Sequence, residues 1–439
     1  MAAAGVTAPA WVLGLWRAGK LRTDWPARLG RGPTLLRPRR PRVLVYGVSV
    51  GEVGAARGLI AAMSSGPDAW DVVVASMTDT GVARAEQLFG DTHPVVRWPY
   101  DLSFAVKRLL VRVRPDVLVL MELEVWPTCI EVCRDAGVPV VVANGRLSER
   151  SFRGYRRVRP LLRRAFAGLS AVGAQTDDDA RRFTELGAHA RRVRVLGSLK
   201  WDAAPQAPPG RELPPQAAAL VTRLGLSLDR PVVVAGSTAP GEEAMLLDGW
   251  AGGDRAAQVV LVPRKPEWFE AAASEATRRG LTLGRWSRPR SVAEPTPQVW
   301  LLDTIGRLGD AYAAAAVAHA RGAGGVGVVG RSFTGTLYGS DVIEPVGLGL
   351  PTVIGPHHRD FQAVVDALLH GDGVRVRAEP WPAVVELLSD PAAASALAGR
   401  GVQVVKQQRG AAARYAALVA EHVRGDRSDA SDAADVPAR

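Results

Sequence analysis

Carboxylates stand at the ends of two apolar runs early in the chain. RVLVYGV at 42–48 leads into Ser49-Val50-Gly51-Glu52, and DVLVLM at 116–121 leads into Glu122-Leu123-Glu124-Val125-Trp126-Pro127. An acid at a strand-to-helix turn lies at the edge where open α/β sheets bind their ligands, and a helix N-terminus favours its charge. Glu52 is therefore a candidate general base, able to take a proton from an acceptor hydroxyl during group transfer; a helix N-terminal glutamate with no further role is the alternative. Of Glu122 and Glu124, one is expected to face solvent or an arginine, and the other to orient an acceptor or support Glu52.

Cations and small residues close other apolar runs. After VPVVVAN at 138–144 come Arg146, Ser148 and Arg150; the two arginines could grip a phosphate or carboxylate bidentately, although a solvated charge run is the commoner fate. In the second half Gly236-Ser237-Thr238 leads to Gly241-Glu242-Glu243, a turn whose N–H groups could cradle a phosphate. Pro263-Arg264-Lys265 places cations for a nucleotide phosphate. Glu344-Pro345 opens a helix and offers a carboxylate to ribose hydroxyls, or only a cap. GVGVVG at 325–330 fits GxGxxG, yet it sits inside a late apolar run and reads as a glycine-rich strand or loop. Cys129 and Cys133 are spaced for one helix and His357-His358 lacks spaced partners, so neither a disulfide framework nor a metal site is expected.

Positioning these groups falls to a recurring pattern. Strand-like runs at 42–48, 71–76, 116–121 and 138–144 alternate with helix-like stretches at 51–63, 80–88 and 126–136, and show little polar alternation, as strands covered on both faces do. A proline-dense segment at 203–215 interrupts the series, which restarts with runs at 231–236, 258–263, 298–303 and 350–355. The fold class is α/β: two doubly wound, Rossmann-like domains facing a cleft. The expected divisions are an apolar and basic segment at 1–41, a first domain at 42–202, a linker at 203–228, a second domain at 229–424 and a fraying tail at 425–439.

The 439 residues are 47% hydrophobic and 23% charged, which suits a globular chain and excludes a disordered one. The net charge of +11 is local: the first 42 residues carry +8 and residues 146–164 carry +7, leaving the remainder mildly acidic. No nucleic-acid motif accompanies the arginines, so the patches suit a phosphorylated or acidic partner, or a membrane surface. The apolar stretch at 2–16 bears Trp11 and Trp16 and precedes its basic residues, the order of an interfacial anchor rather than of a cleaved signal.

Eight ordered blocks then carry a resemblance: SVGEV at 49–53, MELEVWP at 121–127, NGRLSERS at 144–151, GSLKWD at 197–202, GSTAPGEE at 236–243, VPRKPE at 262–267, LLDTIGRLGDAY at 301–312 and IEPVGLGLPTVIGPHHRDF at 343–361. Across about residues 20–370 the chain resembles the 3-deoxy-D-manno-octulosonic acid (Kdo) transferases. The resemblance implies a two-domain GT-B glycosyltransferase that needs neither metal nor cofactor. It would be monotopic at the cytoplasmic face of the inner membrane and would move Kdo from CMP-Kdo to a lipid A precursor with inversion. It places the general base on Glu52 and a second functional acid on Glu124. Its nucleotide contacts fall on Pro263, Arg264, Gly306 and Glu344, with Asp341 expected beside them, while Arg146, Ser148 and Arg150 are the acceptor candidates that the charge run itself supplies. The chain departs from the family in the loop before the Glu-Pro pair, where Ser340 replaces a histidine, Asp341 an asparagine and Val342 a proline. Lys265 and Ser198 are departures too. Asp341 cannot donate an amide hydrogen bond, so the expectation weighs a different nucleotide sugar passed to an anionic lipid as the rival reading. An NAD-dependent oxidoreductase lacks its N-terminal fingerprint, and a noncatalytic lipid-surface protein would have no use for Glu52.

Overall fold

Strands rich in valine and leucine with both faces apolar need a helical layer on each side, and both sheets of this protein have that cover. The computed structural model describes residues 24–66, 69–207, 212–252, 256–288 and 296–423. The chain divides into two units, one of residues 1–203 with 408–439 and the other of residues 204–407.

The first unit is built on strands β1 (Arg42–Tyr46), β2 (Asp71–Ser76), β3 (Val95–Arg97), β4 (Val117–Met121), β5 (Val140–Gly145), β6 (Ala171–Ala174) and β7 (Val193–Val195). They pair in parallel in the order β3-β2-β1-β4-β5-β6-β7. The direction of winding reverses between β1 and β4, so the ligand-binding crevice of such a sheet lies beyond the carboxyl ends of those two strands. On one face helices Ser103–Val113, Pro127–Asp135, Arg159–Ala167 and Asp177–Leu186 bury Leu109, Ile130, Phe166 and Phe183 against Leu44 and Leu120. On the other, helices Arg57–Ser64, Asp79–Phe89 and Ala411–Ala420 bury Leu59, Phe89 and Tyr415 against Val45 and Val119.

The second unit repeats the plan with β8 (Val232–Thr238), β9 (Gln258–Pro263), β10 (Leu283–Arg285), β11 (Val299–Leu301), β12 (Gly325–Val329), β13 (Thr352–Ile354) and β14 (Arg375–Val376). All pair in parallel in the order β10-β11-β9-β8-β12-β13-β14, with its reversal between β8 and β12. The GVGVVG run is strand β12 followed by Gly330, where a Cβ would lie 2.6 Å from the Thr238 Cα; only glycine lets these two strand ends approach so closely.

Three expected boundaries are corrected. The linker is shorter than 203–228, because helix Pro215–Leu224 buries Ala217, Leu220 and Leu224 in the second unit's core. The second domain does not run to 424. Helix Ala411–Ala420 returns to the first unit, where the Tyr415 hydroxyl donates to the Gly197 carbonyl at 2.8 Å, and both Asp202 carboxylate oxygens accept amides of Gly410 and Ala412 at 2.6 Å. Nor is all of 1–41 free for a membrane. Arg28 is fully buried, donating to the Met77 carbonyl and to Asp79 at 3.0 Å each, and the Leu36 carbonyl accepts from the Arg42 guanidinium at 2.9 Å. The apolar stretch at 2–16 and the tail at 425–439 lie outside the described residues.

Candidate active site

Glu52 sits at the third position of helix Val50–Ala55, directly after β1. The Ser49 Oγ accepts the Glu52 N–H at 3.3 Å and donates back to Glu52 Oε1 at 2.8 Å, while Glu52 Oε2 accepts the Val48 N–H at 2.8 Å. This is a capping box, so the helix-terminal role is real and also aims the carboxylate. Burial pushes the Glu52 carboxyl above its ordinary value, and the hydrogen bonds from Val48 and Ser49 offset that rise only in part.

Glu122 and Glu124 leave β4 on the other side of the reversal, and they divide their duties. Glu122 takes a positive φ of 55°, and the charges that hold its burial-raised carboxyl down come from Arg146 and then Lys200. Glu124 faces the other way. Its Oε2 accepts the Trp126 indole N–H at 2.9 Å, and burial together with the Glu52 charge raises its pKa to about 8. Glu52 has an N–H and an O–H that favour its charged form, whereas at about 8 Glu124 is mostly protonated near neutral pH. Tyr46, on β1, is a member of this group that the sequence reading missed. Its hydroxyl is buried with no hydrogen-bond partner among the described residues, its ring stacks on Trp98 at 4.0 Å, and burial followed by the Glu124 and Glu52 charges raises it strongly.

The residues expected to hold an acceptor are dispersed. Ser148 caps helix Glu149–Arg157, accepting the Ser151 N–H at 3.2 Å and donating to the Ser151 hydroxyl at 2.9 Å. Arg150 is exposed, and Arg146 is half-buried in the field of Glu122.

In the second unit Pro263 ends β9 opposite Thr238, and the Arg264 N–H donates to the Thr238 carbonyl at 3.0 Å. Arg264 lines a pocket of about 530 Å³ with Lys265, Trp268, Ile305, Arg331 and Leu337. Gly306, at φ 87°, is next to Ile305 in the turn before helix Leu308–Ala320. That helix passes against Glu344: a Cβ on Gly309 would lie 2.8 Å from Glu344 Oε1. Burial, then the Asp341 and Asp310 charges, raise Glu344 to about 7, with Arg264 opposing. Asp341 is exposed and its Oδ1 accepts the Ile343 N–H at 2.9 Å, a backbone partner that an asparagine oxygen would serve equally. The turn read as a phosphate cradle is filled from within. The Glu242 carboxylate itself accepts N–H groups of Ala239, Arg331, Ser332 and Phe333 at 2.6 to 3.0 Å, tying the end of β8 to the end of β12. Arg264, Lys265 and Ile305 lie in blocks that the sequence singles out, whereas Trp268, Arg331 and Leu337 lie outside them and are gathered only by the fold.

Comparison with known proteins settles the family. Residues 23–203 match the family described as 3-deoxy-D-manno-octulosonic-acid transferase (kdotransferase). The 3-deoxy-D-manno-octulosonic acid transferase of Bordetella pertussis is 35% identical over 414 residues, covering 89% of this chain and 91% of the relative. The chain belongs to the Kdo transferase family. The Haemophilus influenzae member is 28% identical over 388 residues, 86% of each chain. Among solved structures, Anabaena HepE in complex with UDP superposes with a TM-score of 0.58 at 16% identity over 87% of this chain and 98% of that one. A Rickettsia africae glycosyltransferase gives 0.59 at 9% identity over 89% and 100%. With two parallel seven-stranded sheets, the fold of this Kdo transferase family member is GT-B.

Proposed function

We propose that this protein transfers Kdo from CMP-Kdo to a hydroxyl of a phosphorylated lipid A precursor in lipopolysaccharide synthesis, with Glu52 as general base. Family membership supports the transfer, and one observation carries the chemistry: Glu52, held by the Val48 N–H and the Ser49 hydroxyl, stands at the winding reversal of the first sheet near the buried Glu124, whose carboxyl its charge helps to raise to about 8. Glu52 takes the acceptor proton as the acceptor oxygen bonds to the anomeric carbon of Kdo. The bond from that carbon to the phosphate oxygen breaks on the opposite side, inverting the centre, and CMP leaves with the electron pair. Arg264 and Lys265 neutralise the charge on the departing phosphate. The donor arrives already activated, so the reaction calls for no cofactor.

Attachment to an anionic membrane face is part of the same proposal. Lys107, Arg108, Arg112 and Arg114 line a pocket of about 420 Å³ with Thr34 and Val111 on helix Ser103–Val113 and its end. None of the four cations makes an ion pair among the described residues, and Phe104, Val111 and Leu36 are exposed close by in the chain. Cations beside exposed apolar side chains suit a headgroup layer. No described helix is long and apolar enough to cross a membrane.

The test is CMP release by the full chain given CMP-Kdo and a tetra-acylated lipid A precursor in anionic vesicles, with the product weighed by mass spectrometry. A product heavier by one or more Kdo units supports the reading. Release from another nucleotide sugar, and none from CMP-Kdo, replaces the donor and keeps glycosyl transfer.

A further inference from the structure

The end of β12 carries an arginine in a backbone conformation that side chains rarely adopt. Arg331 has a φ of 61°. Both sides of the residue are tied: its N–H donates to Glu242 Oε2 at 2.6 Å, and its carbonyl accepts the Gly339 N–H at 2.7 Å. The two following amides donate to Glu242 Oε1 at 2.8 and 2.9 Å, so the left-handed turn is imposed by a buried carboxylate rather than chosen by residue 331. Glycine would satisfy that turn without strain. The side chain is kept against the backbone's preference, and it has no internal employment: among the described residues the Arg331 guanidinium makes no hydrogen bond or ion pair. It lines the 530 Å³ pocket with Arg264 and Lys265.

The three cations reach this pocket from two strand ends. Arg264 and Lys265 follow β9, Arg331 follows β12, and β8 lies between those strands. At about 4.8 Å per strand the two anchors are roughly 10 Å apart, so their long side chains can meet two anionic groups on one ligand. Lys265 already pairs with Glu267 at 3.2 Å and lies over the Trp268 ring at 4.9 Å, whereas the Arg331 fork is uncommitted. A CMP-activated ulosonic acid has two such groups, a phosphodiester and a carboxylate on the anomeric carbon. A nucleotide-linked neutral sugar has no carboxylate.

Resting on the donor class proposed above, we propose that Arg331 is a donor-specificity residue whose guanidinium binds the sugar carboxylate bidentately, leaving the phosphate to Arg264 and Lys265. The experiment compares the full-length protein with Arg331→Gly and Arg331→Lys in three measurements: KM for CMP-Kdo, the inhibition constant of CMP, and the thermal midpoint. Arg331→Gly should raise KM for CMP-Kdo by roughly 10- to 100-fold, the range of a lost charge-assisted hydrogen bond. It should leave CMP inhibition within about twofold and hold or raise the thermal midpoint, because the strain is relieved. Arg331→Lys should recover part of the KM. A CMP inhibition constant that weakens as much as KM would reassign Arg331 to the phosphate. An unchanged KM would refute a carboxylate-binding role, and a lower midpoint for the glycine variant would refute the backbone strain from which it is argued. A wild-type protein that uses a nucleotide-linked neutral sugar as well as CMP-Kdo overturns the Arg331 assignment but keeps glycosyl transfer; one inert towards CMP-Kdo overturns the donor reading and this proposal together.

Discussion

Glu124→Gln should remove the alkaline limb of the pH–activity profile. In the folded protein the Glu124 carboxyl rises from an ordinary 4.5 to about 8, chiefly through burial and then through the neighbouring Glu52 charge. At about 1.4 kcal/mol per pH unit this amounts to roughly 5 kcal/mol against placing a second negative charge there. If the active form has Glu52 ionised and Glu124 protonated, the wild-type rate of CMP release falls tenfold for each unit above about pH 8 on this account, and falls separately on the acid side as Glu52 takes up its proton. Glutamine keeps a neutral group and an oxygen to accept the Trp126 indole N–H, so the variant's rate should stay level to pH 9 and beyond. Stability supplies an independent reading of the same proton. A carboxyl whose folded pKa is raised contributes stability that is complete below its unfolded value and lost as pH climbs through the folded one. Between pH 5.5 and 8 wild type should therefore lose about 3 kcal/mol relative to Glu124→Gln, measured by urea unfolding. Glu243 and Glu344, each raised to about 7, impose their own slopes, and the comparison of two proteins cancels them. An alkaline limb near pH 8 that survives in the variant would refute the assignment of the proton to Glu124.

Glu52→Gln should lower kcat by about 10² to 10⁴-fold with the thermal midpoint little changed, because the amide oxygen can still accept from Val48 or Ser49; single-turnover CMP release measures it. Asp202→Ala removes the acceptor of two amides at the start of helix Ala411–Ala420 and should cost about 1–2 kcal/mol, read as a fall of roughly 2–8 °C in the calorimetric transition.

The strands legible in the sequence are those whose physics is local. Val117–Met121 is buried along its whole length, and only a strand covered on both faces asks for such a run. The edge strands Val193–Val195, Leu283–Arg285 and Arg375–Val376 are two or three residues long and half-solvated, so they carry no period to read. The strand-end position of Glu52 and Glu124 was legible for the same reason that β1 and β4 were. The difference between their environments was not, because Glu52 meets two donors, at Val48 and Ser49, while Glu124 is the more deeply buried and meets the Trp126 indole. Arg331 was hidden by its neighbours: a glycine-rich strand signals close packing, and nothing in it reveals that Glu242, 89 residues earlier, sets the backbone of the residue that follows. Helix Ala411–Ala420 was assigned to the unit preceding it because sequence order suggests it, whereas the carbonyls that Tyr415 meets belong to residues 173, 174 and 197.

That returning helix gives the protein a birth order. A ribosome delivers the seven strands of the first sheet before residue 203, yet the piece that seals one face of that sheet leaves the exit tunnel after another two hundred residues. At about 5–20 residues per second the wait is roughly 10–40 s. Throughout it the seat of Tyr415, Leu418 and Val419 stays open beside Leu59 and Ile60, an apolar surface on a nascent chain. A nonsense codon between residue 407 and helix Ala411–Ala420 would leave a complete second unit attached to a first unit with its seam unclosed, a form for quality control to recognise.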